Sequence, residues 1–196
     1  DKYSKKINMK WYASSWDIDS QKLMRKYKFK YNKVASAMLT HTDFLEFVSK
    51  EKITTLISTG MSTISQIDNA VKIFRKNKCD FILMHSVSSY PSPEKDLNLF
   101  MINNLKKKYS CKVGYSGHES SLSPTVGACY LGAEFIERHI TLDRSMWGTD
   151  QAASLSPDGL GNLVRTIKKI PKILGNGVKK VTQKEKKKIK DLRYWN

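Results

Sequence analysis

The sequence predicts an α/β fold built on a parallel sheet. Two observations carry this. Short runs rich in β-branched and aromatic residues alternate with longer stretches of helical period, and parallel neighbours require such crossover segments. The 196-residue length, with 40% hydrophobic and 27% charged residues, suits a soluble domain with a sizeable core. A doubly wound open sheet and a (β/α)8 barrel both satisfy this pattern. No Gly-x-Gly-x-x-Gly follows the first strand and no Walker-type phosphate loop occurs, so the nucleotide-binding open sheet lacks its usual signature.

Six strands are predicted: Met9–Trp16, Tyr31–Ser36, Thr54–Gly60, Phe81–Val87, Lys112–His118 and Glu134–Thr141. Between the third and fourth, 62–76 places Ile64, Ile67, Val71 and Phe74 on one helical face, with Ser62 or Thr63 as N-cap. A last long helix is predicted over 157–174, capped by Ser156. Pro157 suits its first turn, Pro171 bends its end, and Gly175 and Gly177 close it. The charge-dense stretch 179–190 reads as a surface helix or tail.

Composition narrows the function classes. Thirty-five basic against 18 acidic residues give a net charge of +17. The lysines fall in helix-like runs (106–108, 168–172, 179–190) without interleaved aromatics, which favours a solvated surface over a nucleic-acid interface. Attraction of small anionic substrates is a further use of the charge. No run approaches the roughly 18–20 apolar residues that span a bilayer, and no signal-peptide pattern opens the chain. Cys79, Cys111 and Cys129 are odd in number and widely spaced, which reads as reduced thiols in a cytoplasmic protein.

Polar residues cluster where the predicted strands end, the end at which parallel barrels carry active sites. Ser14 ends the first, Lys33 and Ser36 the second, Ser58 the third and Ser88 the fourth; Ser116 and His118 end the fifth, Glu137 and His139 the sixth. Side chains alternate along a strand, so Ser116 shares a face with His118, and Glu137 with His139. A lone strand histidine is commonly structural, as His41 and His85 are read to be. His118 and His139 instead fall at matching ends of adjacent strands beside Glu137, and two imidazoles suit a divalent metal such as manganese. Lys33 before the small-residue turn Ala35-Ser36-Ala37 suits an anion, as does the Ser58-Thr59-Gly60 turn.

The order of six stretches resembles the N-acetylneuraminate (sialic acid) synthase family: KVAS (33–36), STGM (58–61), HSVSSYPSP (85–93), GYSGHE (114–119), LGAEFIERHITLD (131–143) and WGTDQAASLSPDGL (147–160). The resemblance implies a (β/α)8 TIM-type barrel that joins phosphoenolpyruvate to an amino sugar of the N-acetylmannosamine type, releasing phosphate. It implies a divalent metal, Mn2+, on His118 and His139. Lys33, Ser36, Ser58, Ser88 and Ser116 would contact phosphoenolpyruvate, with Ser14 at its phosphate. Tyr90, Glu137 and Asp150 would lie on the sugar side, and Glu137 and Lys33 are the catalytic candidates. A homodimer follows from the same resemblance, while the composition favours a cytoplasmic protein with neither nucleic acid nor membrane as partner.

The chain also departs from the family pattern. Ser36-Ala37-Met38 replaces the common Ser-Gly-Glu, which removes a carboxylate contact and bears on the sugar accepted. Ser88 and Gly117 stand where asparagine and aspartate are common, as in synthases of the animal type. Lys33 aligns with the fourth barrel strand, so the expectation is a barrel truncated at its N-terminus, with strands 3–8 over 1–178. A basic helix or tail over 179–196 would follow, without the antifreeze-like domain. A catalytically silent fragment or partner subunit is the alternative reading.

Overall fold

The computed structural model describes residues 1–195, so the last residue of the 179–196 tail lies outside the described residues. Five parallel strands form one sheet in sequential order: β1 (Asn32–Val34), β2 (Thr55–Ser58), β3 (Phe81–Ser86), β4 (Lys112–Gly117) and β5 (Ile136–Arg138). The sheet is curled as half a barrel. It is open among the described residues, with β1 and β5 as its outer strands.

Helices α1 (Lys2–Lys6) and α2 (Ile18–Met24) precede β1, and α3 (Thr42–Lys50), α4 (Ile64–Lys76), α5 (Met101–Tyr109) and α6 (Ser123–Tyr130) cross between successive strands. After β5 come α7 (Pro157–Ile167), α8 (Ile170–Leu174) and α9 (Gln183–Leu192). Alternation along the strands separates two environments. Val34, Ile57, Leu83, Val113 and Tyr115 face the helices and pack with Phe44, Leu45, Ile67, Val71, Phe74, Ile102 and Leu105 in one buried core. Removing each large side chain from water stabilises the fold by about 1.5–3 kcal/mol. On the other face Leu56, Ile82 and Met84 form a smaller cluster with Tyr31 and Phe135. Gly114 makes room there, since a Cβ at that position would lie 2.6 Å from the Phe135 carbonyl oxygen.

Local signals set several boundaries. Thr63, not Ser62, caps α4: its hydroxyl accepts from the Gln66 amide while the Gln66 side chain accepts from the Thr63 amide, a capping box. Ser156 caps α7 by accepting from the Gly159 amide. The predicted 157–174 helix is broken at Lys168 and Lys169. Pro171 has no amide hydrogen to give the carbonyl four residues earlier, so α7 stops at Ile167 and α8 restarts with Pro171 in its first turn. Gly175 and Gly177 follow with positive φ.

The predicted strand Met9–Trp16 does not form. It contributes a single parallel bridge, Ser14 to Lys33. Trp11 is drawn away from the sheet and packs edge-on against Tyr27 and Phe29, at 4.9 and 4.7 Å between ring centroids. Met9 and Trp16 stay exposed. The predicted strand over 134–141 contracts to Ile136–Arg138, with Ile140 making one bridge to Leu155. The basic stretch 179–190 supplies most of α9, capped by a Thr182–Glu185 box, and the helix buries no residue.

Candidate active site

The inward-facing residues at the C-terminal strand ends enclose a cavity of about 490 Å3. All eleven site residues expected from the sequence line it: Ser14, Lys33, Ser36, Ser58, Ser88, Tyr90, Ser116, His118, Glu137, His139 and Asp150. The register explains the convergence. Ser14 bridges to Lys33, Lys33 pairs with Leu56 two residues before Ser58, and Ser86, Ser116 and Glu137 lie level across β3, β4 and β5.

A polar knot occupies one wall. The Lys33 ammonium is buried and donates to Ser58 Oγ at 2.6 Å and to both Glu137 oxygens at 2.8 and 3.0 Å. Ser116 Oγ donates to Glu137 Oε1 at 2.8 Å, and Tyr12 Oη to Glu137 Oε2 at 3.4 Å. Burial alone would raise the Glu137 carboxyl. The Lys33 charge and the donors from Lys33, Ser116 and Tyr12 outweigh it and hold the group below its usual range. The Tyr12 phenol is pushed up to about 12 by its burial and by the Glu137 charge. The residues expected to divide between phosphoenolpyruvate and sugar therefore meet directly, through Lys33 and Glu137.

The opposite wall is aromatic. The His118 and His139 rings lie 5.2 Å apart, with the Tyr90 ring 4.3 Å from the first and 5.6 Å from the second. His118 Nδ1 lies 2.7 Å from the Val87 carbonyl oxygen, so that nitrogen carries the proton and Nε2 keeps its lone pair. Burial pushes the His118 imidazole down, toward the neutral form that binds metals. His139 Nδ1 faces Asp150 Oδ2 at 3.5 Å. Among the described residues no group of three or more His, Cys, Asp or Glu side chains forms a metal cage. The imidazole pair fits a divalent metal that would need water or substrate donors besides, and the Val87 contact at His118 Nδ1 would orient that ring as a ligand.

Glycines shape the cavity. A Cβ on Gly60 would run into Ser88 Oγ and come within 2.8 Å of Ser36 Oγ, so this glycine lets two hydroxyls close over the turn. A Cβ on Gly117 would lie 2.6 and 2.9 Å from the Glu119 oxygens.

Sequence reasoning passed over three features. Trp16, Met61 and Ser86 also line the cavity; Ser86 shares its inward parity with Met84 and Ser88, which was the available signal. Tyr12 reads from the sequence only as part of a predicted strand. Behind the imidazoles, Glu119 and Arg138 form an ion pair at 3.0 Å with side chains 0% and 2% exposed. Tyr115 Oη and Thr125 Oγ1 donate to Glu119, while Arg138 also reaches Thr125 Oγ1 and the backbone oxygens of Glu119 and Ser121. Arg138 lies between Glu137 and His139 and Glu119 in the polar stretch 117–121, so no local pattern marks this pair. The histidines read as structural are so placed: His41 Nδ1 accepts from the Phe44 amide at the start of α3, and His85 Nε2 lies 2.7 Å from the Leu97 carbonyl oxygen. The three cysteines are free thiols.

Fold and cavity together define an α/β domain of the barrel class with its polar site at the C-terminal ends of parallel strands. The chain belongs to the NeuB family, whose model matches residues 1–179. It is 33% identical over 194 residues to the N,N'-diacetyllegionaminic acid synthase of Campylobacter jejuni, covering 97% of this chain and 58% of the relative. It is 30% identical over 181 residues to the human N-acetylneuraminate-9-phosphate synthase, covering 92% and 50%. Among solved structures it is similar to an N-acetylneuraminic acid synthetase from Leptospira borgpetersenii bound to citrate, with a TM-score of 0.88 at 35% identity, covering 98% of this chain and 69% of that one. The chain spans about half the length of the curated relatives it matches. No described helix is long and apolar enough to cross a membrane.

Proposed function

We propose that this cavity joins phosphoenolpyruvate to an amino sugar of the N-acetylmannosamine type, giving a nonulosonic acid and phosphate. The observation that carries the reading is the meeting of a lysine–hydroxyl cradle and an imidazole pair in one cavity of a NeuB-family chain. In the reaction, C3 of phosphoenolpyruvate bonds to the sugar aldehyde carbon. Water adds at C2, and phosphate leaves with cleavage of the C2–O bond.

Lys33 and the Ser36, Ser58, Ser88 and Ser116 hydroxyls hold the phosphate and carboxylate, with Ser14 at the phosphate end. Fixing two reactants in register is worth several kcal/mol of barrier. His118 and His139 would hold the metal, Mn2+ by the donor set, which supplies Lewis-acid polarisation of the aldehyde when bound. Glu137 is held ionised and pinned by Lys33 and Ser116, so its carboxylate positions donors on substrate or water at the cavity wall. Tyr90 and Asp150 face the sugar. The protein acts in the cytoplasm as a homodimer on this reading.

The test is phosphate release from phosphoenolpyruvate in the presence of manganese and a panel of N-acetylated hexosamines. Release that requires sugar and metal, and disappears in His118→Ala and His139→Ala, supports the assignment. A folded chain that releases nothing with any sugar contradicts it and leaves a catalytically silent subunit.

A further inference from the structure

The cavity's hydroxyls are not equivalent. Ser116 Oγ donates to Glu137, and the Lys33 ammonium lies within hydrogen-bond distance of Ser58 Oγ and both Glu137 oxygens, so each of these groups has a partner in the ligand-free protein. Ser86 and Ser88 are different: each Oγ is buried without a hydrogen-bond partner. Ser88 already has a place in the proposed cradle, whereas Ser86 has no assigned role. Its residue is 6% exposed, it projects to the inward face of β3, and it lies level with Ser116 in the strand register. A buried hydroxyl left unpaired destabilises the folded chain, and a core position on an apolar strand would serve as well with alanine. Such a group is explained when a ligand supplies the missing acceptor.

We propose that Ser86 is a further binding residue for the anionic substrate, donating its hydroxyl proton to a phosphoenolpyruvate oxygen beside Ser88. This rests on the phosphoenolpyruvate reading of the same cavity. It also predicts a signature opposite to that of a structural serine. Removing the hydroxyl should leave the ligand-free protein as stable or more so, while weakening its hold on the anion.

The experiment compares the full chain with Ser86→Ala and Ser86→Cys, the second keeping the volume with a far weaker donor. Thermal melting without anion is paired with calorimetric titration of phosphoenolpyruvate and, separately, of inorganic phosphate. The expected result is a melting temperature equal to or above wild type in both variants, with a roughly tenfold rise in Kd for phosphoenolpyruvate. A matching loss for inorganic phosphate places Ser86 at the phosphoryl end; a loss confined to phosphoenolpyruvate places it at the carboxylate. Unchanged affinity in both variants overturns the role of Ser86 alone. Ligand-free variants that melt well below wild type also overturn it, by making the hydroxyl structural. A wild-type chain that binds neither anion overturns the substrate reading together with this one.

Discussion

Arg138→Met removes a guanidinium whose side chain is 2% exposed and leaves Glu119, 0% exposed, with no counter-charge. The Tyr115 and Thr125 hydroxyls still donate to the carboxylate, but neither neutralises it. Breaking one partner of such a buried pair costs about 3–5 kcal/mol. For a chain of this size each kcal/mol lowers the melting temperature by about 2–4 °C, so a fall of about 6–20 °C is expected in calorimetric melts. Glu119→Gln with Arg138→Met should lose less than the sum of the single changes, because the second substitution removes the charge stranded by the first. The pair also ties the end of β4 to β5: Glu119 follows His118, and Arg138 sits between Glu137 and His139. The imidazoles should therefore lose their 5.2 Å spacing as the pair is broken. An Arg138→Met protein within about 1 kcal/mol of wild type would refute the argument that this contact holds the two strand ends together.

Gly60→Ala should turn the Ser36 and Ser88 hydroxyls out of the cradle, raising the Kd for phosphoenolpyruvate about tenfold or more with little change in melting; an unaltered Kd in titration would count against the cradle. Glu137→Gln removes the counter-charge of buried Lys33 and should lower kcat by about 100-fold or more, with steady-state kinetics showing near wild-type turnover if the carboxylate is idle. Burial holds the His85 imidazole below its ordinary 6.5. Its contribution to stability is therefore complete above about pH 6.5 and lost as the pH falls through the folded-state value. Urea unfolding from pH 8 to 5 should show this loss, and His85→Asn should flatten it; equal slopes in both proteins would contradict the assignment.

Much of the site was legible because a parallel strand obeys a period of two. Once Ser116 and His118 share a face of one strand, and Glu137 and His139 share a face of the next, strand register alone brings them level on the same side of the sheet, and the cavity contains every residue that parity selected. Elements decided by distant contacts were not legible. The stretch 9–16 has strand-like composition, but Trp11 finds Tyr27 and Phe29 and leaves only Ser14 bridged to the sheet. The pairing of Lys33 with Glu137 joins residues 104 apart, and no local pattern announces it. Parity placed Ser86 on the inward face, but its significance lies in the contact it lacks, which no sequence pattern shows. Pro171 did mark a weak point in its helix, although the break falls just ahead of it.

The most direct measurement is mass spectrometry of the products formed from phosphoenolpyruvate labelled with 13C at all three carbons, with N-acetylmannosamine-type sugars and manganese. The account predicts an acid whose mass equals that of the sugar plus one triply labelled pyruvic acid, appearing in step with phosphate. Labelled pyruvate released alone, with the sugar unchanged, would show hydrolysis without carbon–carbon bond formation and contradict the account.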